Sequence, residues 1–236
     1  MSTSTPPLVA LLGRKRSGKD TAASVLTTEH EFERVAFADP LREALLAVDP
    51  IIEHFDADNS CGDPDCCGGP YELIVERRLS DVIESIGWER AKDSHDEVRR
   101  LLVDLGQAMR ALDDETWTRP AFERIDELRR PVLAHPPLTR AALLEAGLGH
   151  LIREPRDGRR VVVTDVRMPN EAEGLRERGA LLVRVVRPDL VADEEPSITE
   201  TALDDYPVDL TIENTGTRDE FLAAVRARLV VESLGL

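Results

Sequence analysis

Five short apolar runs interrupt a chain otherwise patterned for helices. Leu8–Leu12, Phe32–Ala38, Val161–Thr164, Leu181–Val186 and Val208–Ile212 each predict a strand. Leu8 to Leu12 is wholly apolar, as a strand buried on both faces of a parallel sheet requires. Between the runs, apolar residues recur at helical spacing. Thr21–Leu26, Leu41 to about Val48, residues 72–86, Asp96–Ala111, the stretch entered after Asp165 and stopping at Gly179, and Asp219 to about Val231 are expected helices. Gly87 is placed to cap the helix over 72–86, and Asp39 to cap the helix that Pro40 begins. Val98, Leu101, Leu102 and Leu105 form the buried stripe of the helix over 96–111. Strands alternating with helices predict an α/β fold: a doubly wound, five-stranded parallel sheet with helices on both faces.

Three stretches fall outside this rhythm. Residues 53–70 are rich in Asp, Asn, Gly and Pro and contain Cys61, Cys66 and Cys67. With His54 they suggest zinc, but the Cys-x4-Cys-Cys spacing lacks the two-pair pattern, so a loop with free thiols is the favoured reading. Residues 119–160 read as helical, broken by Pro131, Pro136, Pro137 and Pro155. Within them, Leu138 to Ile152 is apolar and poor in charge, and is expected to pack on the core or on a second subunit, which admits a homodimer. After Arg187-Pro188 the chain turns irregular and acidic as far as Asp204 and Asp205.

Composition narrows the function classes. The 236 residues allow one α/β domain with a sizeable core and an inserted subdomain. A net charge of −16 argues against nucleic acid and anionic membranes as partners. No run has the length of a membrane span and the N-terminus lacks a signal-peptide core, so the cytoplasm is the expected location. Lysine occurs only at positions 15, 19 and 92, two of them within a few residues of each other after the first strand.

That segment carries the chemistry. Gly13-Arg-Lys-Arg-Ser-Gly18-Lys19-Asp20-Thr21 runs from a buried strand into a helix, the context of a phosphate-binding loop. Its glycines let backbone N–H groups turn inward around a polyphosphate; the helix N-terminus and Lys19 supply positive charge. Asp20 stands where Ser or Thr is usual. A carboxylate beside polyphosphate needs a cation between, so Asp20 is expected either to coordinate Mg2+ or to complement its helix dipole. Asp165, just past the strand at 161–164, is placed like a second magnesium acid, with a turn aspartate as the plain alternative. Arg167 would point into the same crevice at the carboxyl end of the sheet. Asn170, with Glu173 three residues on, is as much a helix cap as a ligand contact. Phosphoryl transfer requires two anionic substrates held in line among cations. Arg14, Lys15, Arg16, Arg42, Arg99, Arg100, Arg110 and Arg167 are the candidate supply.

Gly13–Thr21, Phe37-Ala-Asp-Pro-Leu-Arg42, Ser85–Lys92, Glu97–Leu102, Thr164–Glu173, Glu200–Asp205 and Asn214–Thr217 together resemble the bacteriophage-type deoxynucleoside monophosphate kinases. The resemblance spans nearly the whole chain, with gaps at about 53–70 and 119–158. It implies a P-loop NTPase fold, with helical acceptor-binding insertions over about 40–158 and a reduced lid over about 188–206. The implied reaction moves the γ-phosphate of ATP to a deoxynucleoside 5′-monophosphate, in the host cytoplasm for a phage-encoded chain. On this resemblance Gly13, Lys15, Gly18, Lys19, Asp20 and Thr21 hold ATP, with Asp20 and Asp165 on Mg2+. Asn214 and Gly216 would lie near adenine. Arg16, Leu41, Arg42, Arg100, Arg110 and Arg167 would face the monophosphate; Gln107 and Trp117 would line its base, and Asp39 would touch the acceptor or cap its helix. Lys19, Arg16, Arg167 and Asp165 are the expected catalytic set. Kinases of phosphomevalonate or dephospho-coenzyme A would use the same loop, and an ATP-holding regulatory protein would need cations for only one polyphosphate.

Overall fold

The computed structural model describes residues 6–58, 72–131, 144–147, 158–189 and 201–235. The cysteine cluster therefore lies outside the described residues, as do most of the Leu138–Ile152 stretch and most of the segment expected as a lid. The chain divides into two compact units: one runs to Phe37 and resumes at Thr118, the other is Ala38–Trp117.

In the first unit, β1 (Leu8–Leu12), β2 (Phe32–Val35), β5 (Arg160–Val163), β6 (Leu181–Val186) and β7 (Leu210–Glu213) form one sheet. Its order is β2-β5-β1-β6-β7, and every neighbouring pair is parallel. β1 takes β5 on one edge, Leu8 opposite Val161, and β6 on the other, Val9 opposite Leu181. Side chains alternate across a strand, so the apolar run of β1 feeds two cores. Leu8, Ala10 and Leu12 pack with Ala121 and Ile125 of α5 (Thr118–Arg129) and Leu175 of α6 (Pro169–Glu177). Val9 and Leu11 pack with Ala22, Val25 and Leu26 of α1 (Lys19–Glu29), and with Phe221 of α7 (Arg218–Ala224). The chain continues as a π-helical stretch, Val225–Val230, and ends in α8 (Val231–Leu234). The expected five-stranded α/β sheet is thus present, with β2 and β7 shorter and shifted by two residues or more at one end. Among the described residues no helix is long and apolar enough to cross a membrane.

The second unit contains α2 (Asp39–Val48), β3 (Ile51–Asp58), β4 (Glu72–Arg78), α3 (Leu79–Ser94) and α4 (Asp96–Leu112). Leu45, Leu79, Val82, Ala91 and Val98 make its core, with Leu101, Leu102 and Leu105 packed against it. The expected α4 stripe is present. Two expectations fail here. Residues 72–78 are a strand rather than the start of a helix, and 53–58 are its partner rather than loop, paired antiparallel with Val75 opposite Phe55. A pairing partner distant in the sequence satisfies the backbone and overrides a weak helical period. The helix begins at Leu79, and at Gly87 (φ 74°, ψ 164°) the backbone leaves helical geometry, so this glycine does interrupt it. The inserted unit also ends earlier than expected: α5 belongs to the sheet unit, not to an insertion reaching 158.

Phe122 of α5 shows how tightly that layer closes. Its ring meets Phe37 edge-on at 5.3 Å between centroids, and the Arg178 guanidinium lies 4.2 Å above it. A Cβ on Gly174 of α6 would come within 2.4 Å of the same ring. Gly174→Ala is expected to destabilise the chain by about 1–3 kcal/mol through overpacking, read as a lower urea midpoint.

Candidate functional site

The loop between β1 and α1 leaves the sheet at its carboxyl edge. Gly13 has φ 136°, and a Cβ there would lie 2.3 Å from the Val185 carbonyl of β6. Only glycine lets the chain turn so close to the neighbouring strand. Gly18, at φ 108°, precedes α1, and a Cβ on it would lie 2.6 Å from the side-chain nitrogen of Asn214. Between them Arg16 adopts φ 63°, a left-handed conformation that costs a non-glycine residue on the order of 1 kcal/mol. The Lys19 ammonium folds back onto the Gly13 and Arg14 carbonyls, the latter at 2.7 Å. The loop's own backbone thus carries part of its charge.

Two cavities open on this loop. One, of about 350 Å3, is lined by Arg16, Gly18, Lys19, Asp20 and Thr21 together with Asn214 and Gly216. Sequence reasoning had assigned all seven to nucleotide or acceptor, and the fold gathers them around one space. Arg187 and Arg218 also line it, and among the described residues neither they nor Arg16 meet a carboxylate. The other cavity, about 430 Å3, takes Gly13, Arg14, Arg167, Arg184 and Asp204. Arg14 is ion-paired there with Asp204 at 2.5 Å, and Arg184 donates to the Leu203 and Tyr206 carbonyls. Lys15 is exposed.

The turn after β5 is built by two carboxylates. Asp165 accepts the Phe37 N–H at 2.8 Å, tying the ends of β2 and β5 together. Glu171, buried at 7% exposure, accepts the N–H groups of Arg167 (2.8 Å) and Met168 (3.1 Å). The capping carboxylate of α6 is therefore Glu171; Asn170 and Glu173 are exposed on the helix instead. At the start of α7, Thr217 and Glu220 cap the helix reciprocally, and the Thr217 N–H holds the Glu220 carboxyl below the usual carboxylate range. Because that pKa is depressed, the cap's contribution is present above the ordinary glutamate pKa and fades as acid protonates the group.

Two functional candidates escaped the sequence reading. The hydroxyls of Ser17 and Thr164 are buried, and neither has a hydrogen-bond partner among the described residues. A buried orphan hydroxyl costs about 1–3 kcal/mol unless water or ligand completes it. Neither shows in sequence, where a serine in a glycine-rich loop is unremarkable. Arg218 was likewise missed; an arginine in a helix's first turn, against the dipole, was its only signal.

The remaining assignments fall in the second unit. Asp39 lies inside the first turn of α2; Ala38 holds the cap position, so Asp39 does not cap. Its carboxylate approaches Arg42 at 3.8 Å, and Arg42 also pairs with Glu89 (3.1 Å) and lies over the Trp88 ring. Burial pushes the Glu89 carboxyl up, but Lys92 and Arg42 outweigh it and hold the group below its ordinary value. Leu41 packs against Gly106. Trp117 is buried and donates its indole N–H to the Gly106 carbonyl at 3.2 Å, tying the end of the unit to α4. Arg100 is committed to Glu97 and Asp104 along an exposed helix face, while Gln107 and Arg110 are exposed. Among the described residues no group of three or more His, Cys, Asp or Glu could hold a metal; His54 is exposed on β3, its expected cysteine partners outside the described residues.

The fold is thus a parallel α/β sheet with a glycine-bounded, lysine-bearing loop at its carboxyl edge, the place where ligands of open α/β sheets generally bind. The model of the deoxynucleotide monophosphate kinase family matches residues 7–60 and 148–225, over half of the chain. The chain belongs to the deoxynucleotide monophosphate kinase family. It is also similar to a chain from Acanthamoeba polyphaga mimivirus named "Putative deoxynucleotide monophosphate kinase", 26% identical over 227 residues, covering 92% of this chain and 93% of the other. Among solved structures, a "putative kinase" from Chloroflexus aurantiacus J-10-fl is 13% identical over 95% of this chain and 98% of its own. Its TM-score is 0.36, and the fold assignment rests on the sheet order instead.

The buried turn carboxylate gives a stability test. Glu171→Ala leaves two N–H groups without their acceptor and should cost about 1–3 kcal/mol in urea unfolding, whereas Glu171→Gln, which keeps an acceptor oxygen, should lose less.

Proposed function

We propose that this chain transfers the terminal phosphoryl group of ATP to a deoxynucleoside 5′-monophosphate, yielding ADP and the deoxynucleoside diphosphate. The observation that carries the reading is the cavity on the β1–α1 loop. In a chain of net charge −16, Lys19, Arg16, Arg187 and Arg218 line one space, and its arginines meet no carboxylate among the described residues. Family membership supports the acceptor class.

The chemistry follows from what these groups can do. The bond from the γ-phosphorus to the ADP oxygen breaks as a phosphate oxygen of the monophosphate bonds to that phosphorus. The protein supplies position and charge rather than a covalent partner. Lys19 exchanges the Gly13 and Arg14 carbonyls for phosphate oxygens, so its charge is carried by the triphosphate. Loop N–H groups and the start of α1 add donors along the same chain of phosphates. Arg16, exposed in its left-handed bend, and Arg167, on the neighbouring cavity, are the residues assigned to the migrating and acceptor phosphates. Arg42, backed by Trp88 and Glu89, is the acceptor-phosphate residue of the second unit.

Magnesium would be held by Asp20 and Asp165. Asp20 is exposed at the first turn of α1 and has no partner among the described residues; Asp165 follows β5 and accepts the Phe37 N–H. Two hard carboxylates, with no group of three or more His, Cys, Asp or Glu among the described residues, fit an ion that keeps waters and takes phosphate oxygens. When bound, it neutralises charge on the polyphosphate.

A coupled ADP-release assay over a panel of deoxy- and ribonucleoside monophosphates checks the reaction. Turnover is expected with at least one deoxynucleotide; ATP binding without turnover on any of them would reject the kinase reading. Lys19→Ala should lower kcat on the order of 1,000-fold in that assay. Arg42→Ala should raise KM for the monophosphate about tenfold or more while KM for ATP changes little; the reverse pattern removes Arg42 from acceptor binding.

A further inference from the structure

Asn214, at the end of β7, is anchored from two sides. Its own N–H donates to the Val186 carbonyl of β6 at 2.6 Å. Its side-chain amide donates to the Ser17 carbonyl at 2.8 Å. Ser17 is also the loop residue whose buried hydroxyl is unpartnered among the described residues. In a planar trans peptide the C=O and N–H point in opposite directions. Holding the Ser17 carbonyl toward Asn214 therefore turns the Gly18 N–H the other way, and no acceptor among the described residues takes that N–H. The contact is sterically exclusive as well: any side chain on Gly18 would collide with the Asn214 amide nitrogen at 2.6 Å. Glycine at 18 and a short amide at 214 are thus one device.

We infer that Asn214 is a positioning residue, which fixes the Ser17–Gly18 peptide so that the Gly18 N–H is presented to phosphate, and does not recognise the nucleoside. This rests on the triphosphate reading of the loop. The sequence reading had placed Asn214 beside adenine; the hydrogen bond gives its amide a different task. Because Asn214 and Gly216 line the same cavity as the loop, the end of β7 governs phosphate affinity from outside the loop.

Inorganic tripolyphosphate separates the two roles, since it offers phosphates without base or sugar. Calorimetric titrations of the full chain compare tripolyphosphate with ATP for wild type, Asn214→Ala and the isosteric Asn214→Asp, which replaces the donor by an acceptor. Both variants should weaken both ligands by the same factor, about tenfold. A loss confined to ATP would overturn the proposal in favour of a nucleoside contact, and unchanged affinity for both would overturn it outright. Wild type that binds neither ligand rejects the triphosphate reading itself; wild type that binds both beside unaffected variants rejects only the role of Asn214. A second measurement needs no variant: the Gly18 amide proton of the wild-type chain should move downfield when tripolyphosphate is added. An amide proton that does not move overturns the inference.

Discussion

Everything in the sheet unit depends on the fixity of β1. It is hydrogen-bonded to β5 on one edge and β6 on the other, and each of its five residues is buried. A strand held on both edges and both faces has no freedom at its end. The loop that leaves it therefore starts from a defined point, against the Val185 carbonyl, where only glycine fits. Burying the apolar surface of β1 is what makes a precise loop affordable at the sheet's rim.

Within the two units the protein's cations differ in what they already hold. Arg14 is bound to Asp204, Arg42 to Glu89, Arg99 to Asp93 and Arg100 to Glu97. Arg16, Arg187 and Arg218 line the loop cavity and meet no carboxylate among the described residues. Three such arginines on one cavity concentrate positive potential beside the loop. Lys19 is intermediate, satisfied by carbonyls that an anion can replace without leaving a buried charge behind. The second cavity is closed differently, by an ion pair and by the carbonyls of 203 and 206 on Arg184.

The turn after β5 and the turn before α7 obey one rule: a carboxylate three or four residues into the chain takes up N–H groups that the helix start leaves open. Glu171 does this for Arg167 and Met168, Glu220 for Thr217. Asp165 extends it across strands by holding Phe37. These three carboxylates are thus structural, while Asp20 at the loop is exposed and without a partner among the described residues.

The sequence by itself determined the elements whose signals are local: the apolar strands, the glycine-bounded loop with its lysine, and the stripe of α4. Each depends on side-chain spacing or on a residue type that one backbone conformation demands, and such constraints are written in adjacent residues. Tertiary structure alone decided what depends on residues far apart. Glu72–Arg78 became a strand because β3, distant in the sequence, supplies its hydrogen bonds. Trp117 turned inward because Gly106 offers its indole a carbonyl. Glu171 rather than Asn170 caps α6, since the fold decides which side-chain oxygen reaches the open N–H groups. Asn214 braces the loop across nearly two hundred residues, a contact no spacing rule could contain. Local order follows from steric and periodic preferences of short segments, whereas the partner of a polar group is set only when the folded chain brings one within reach.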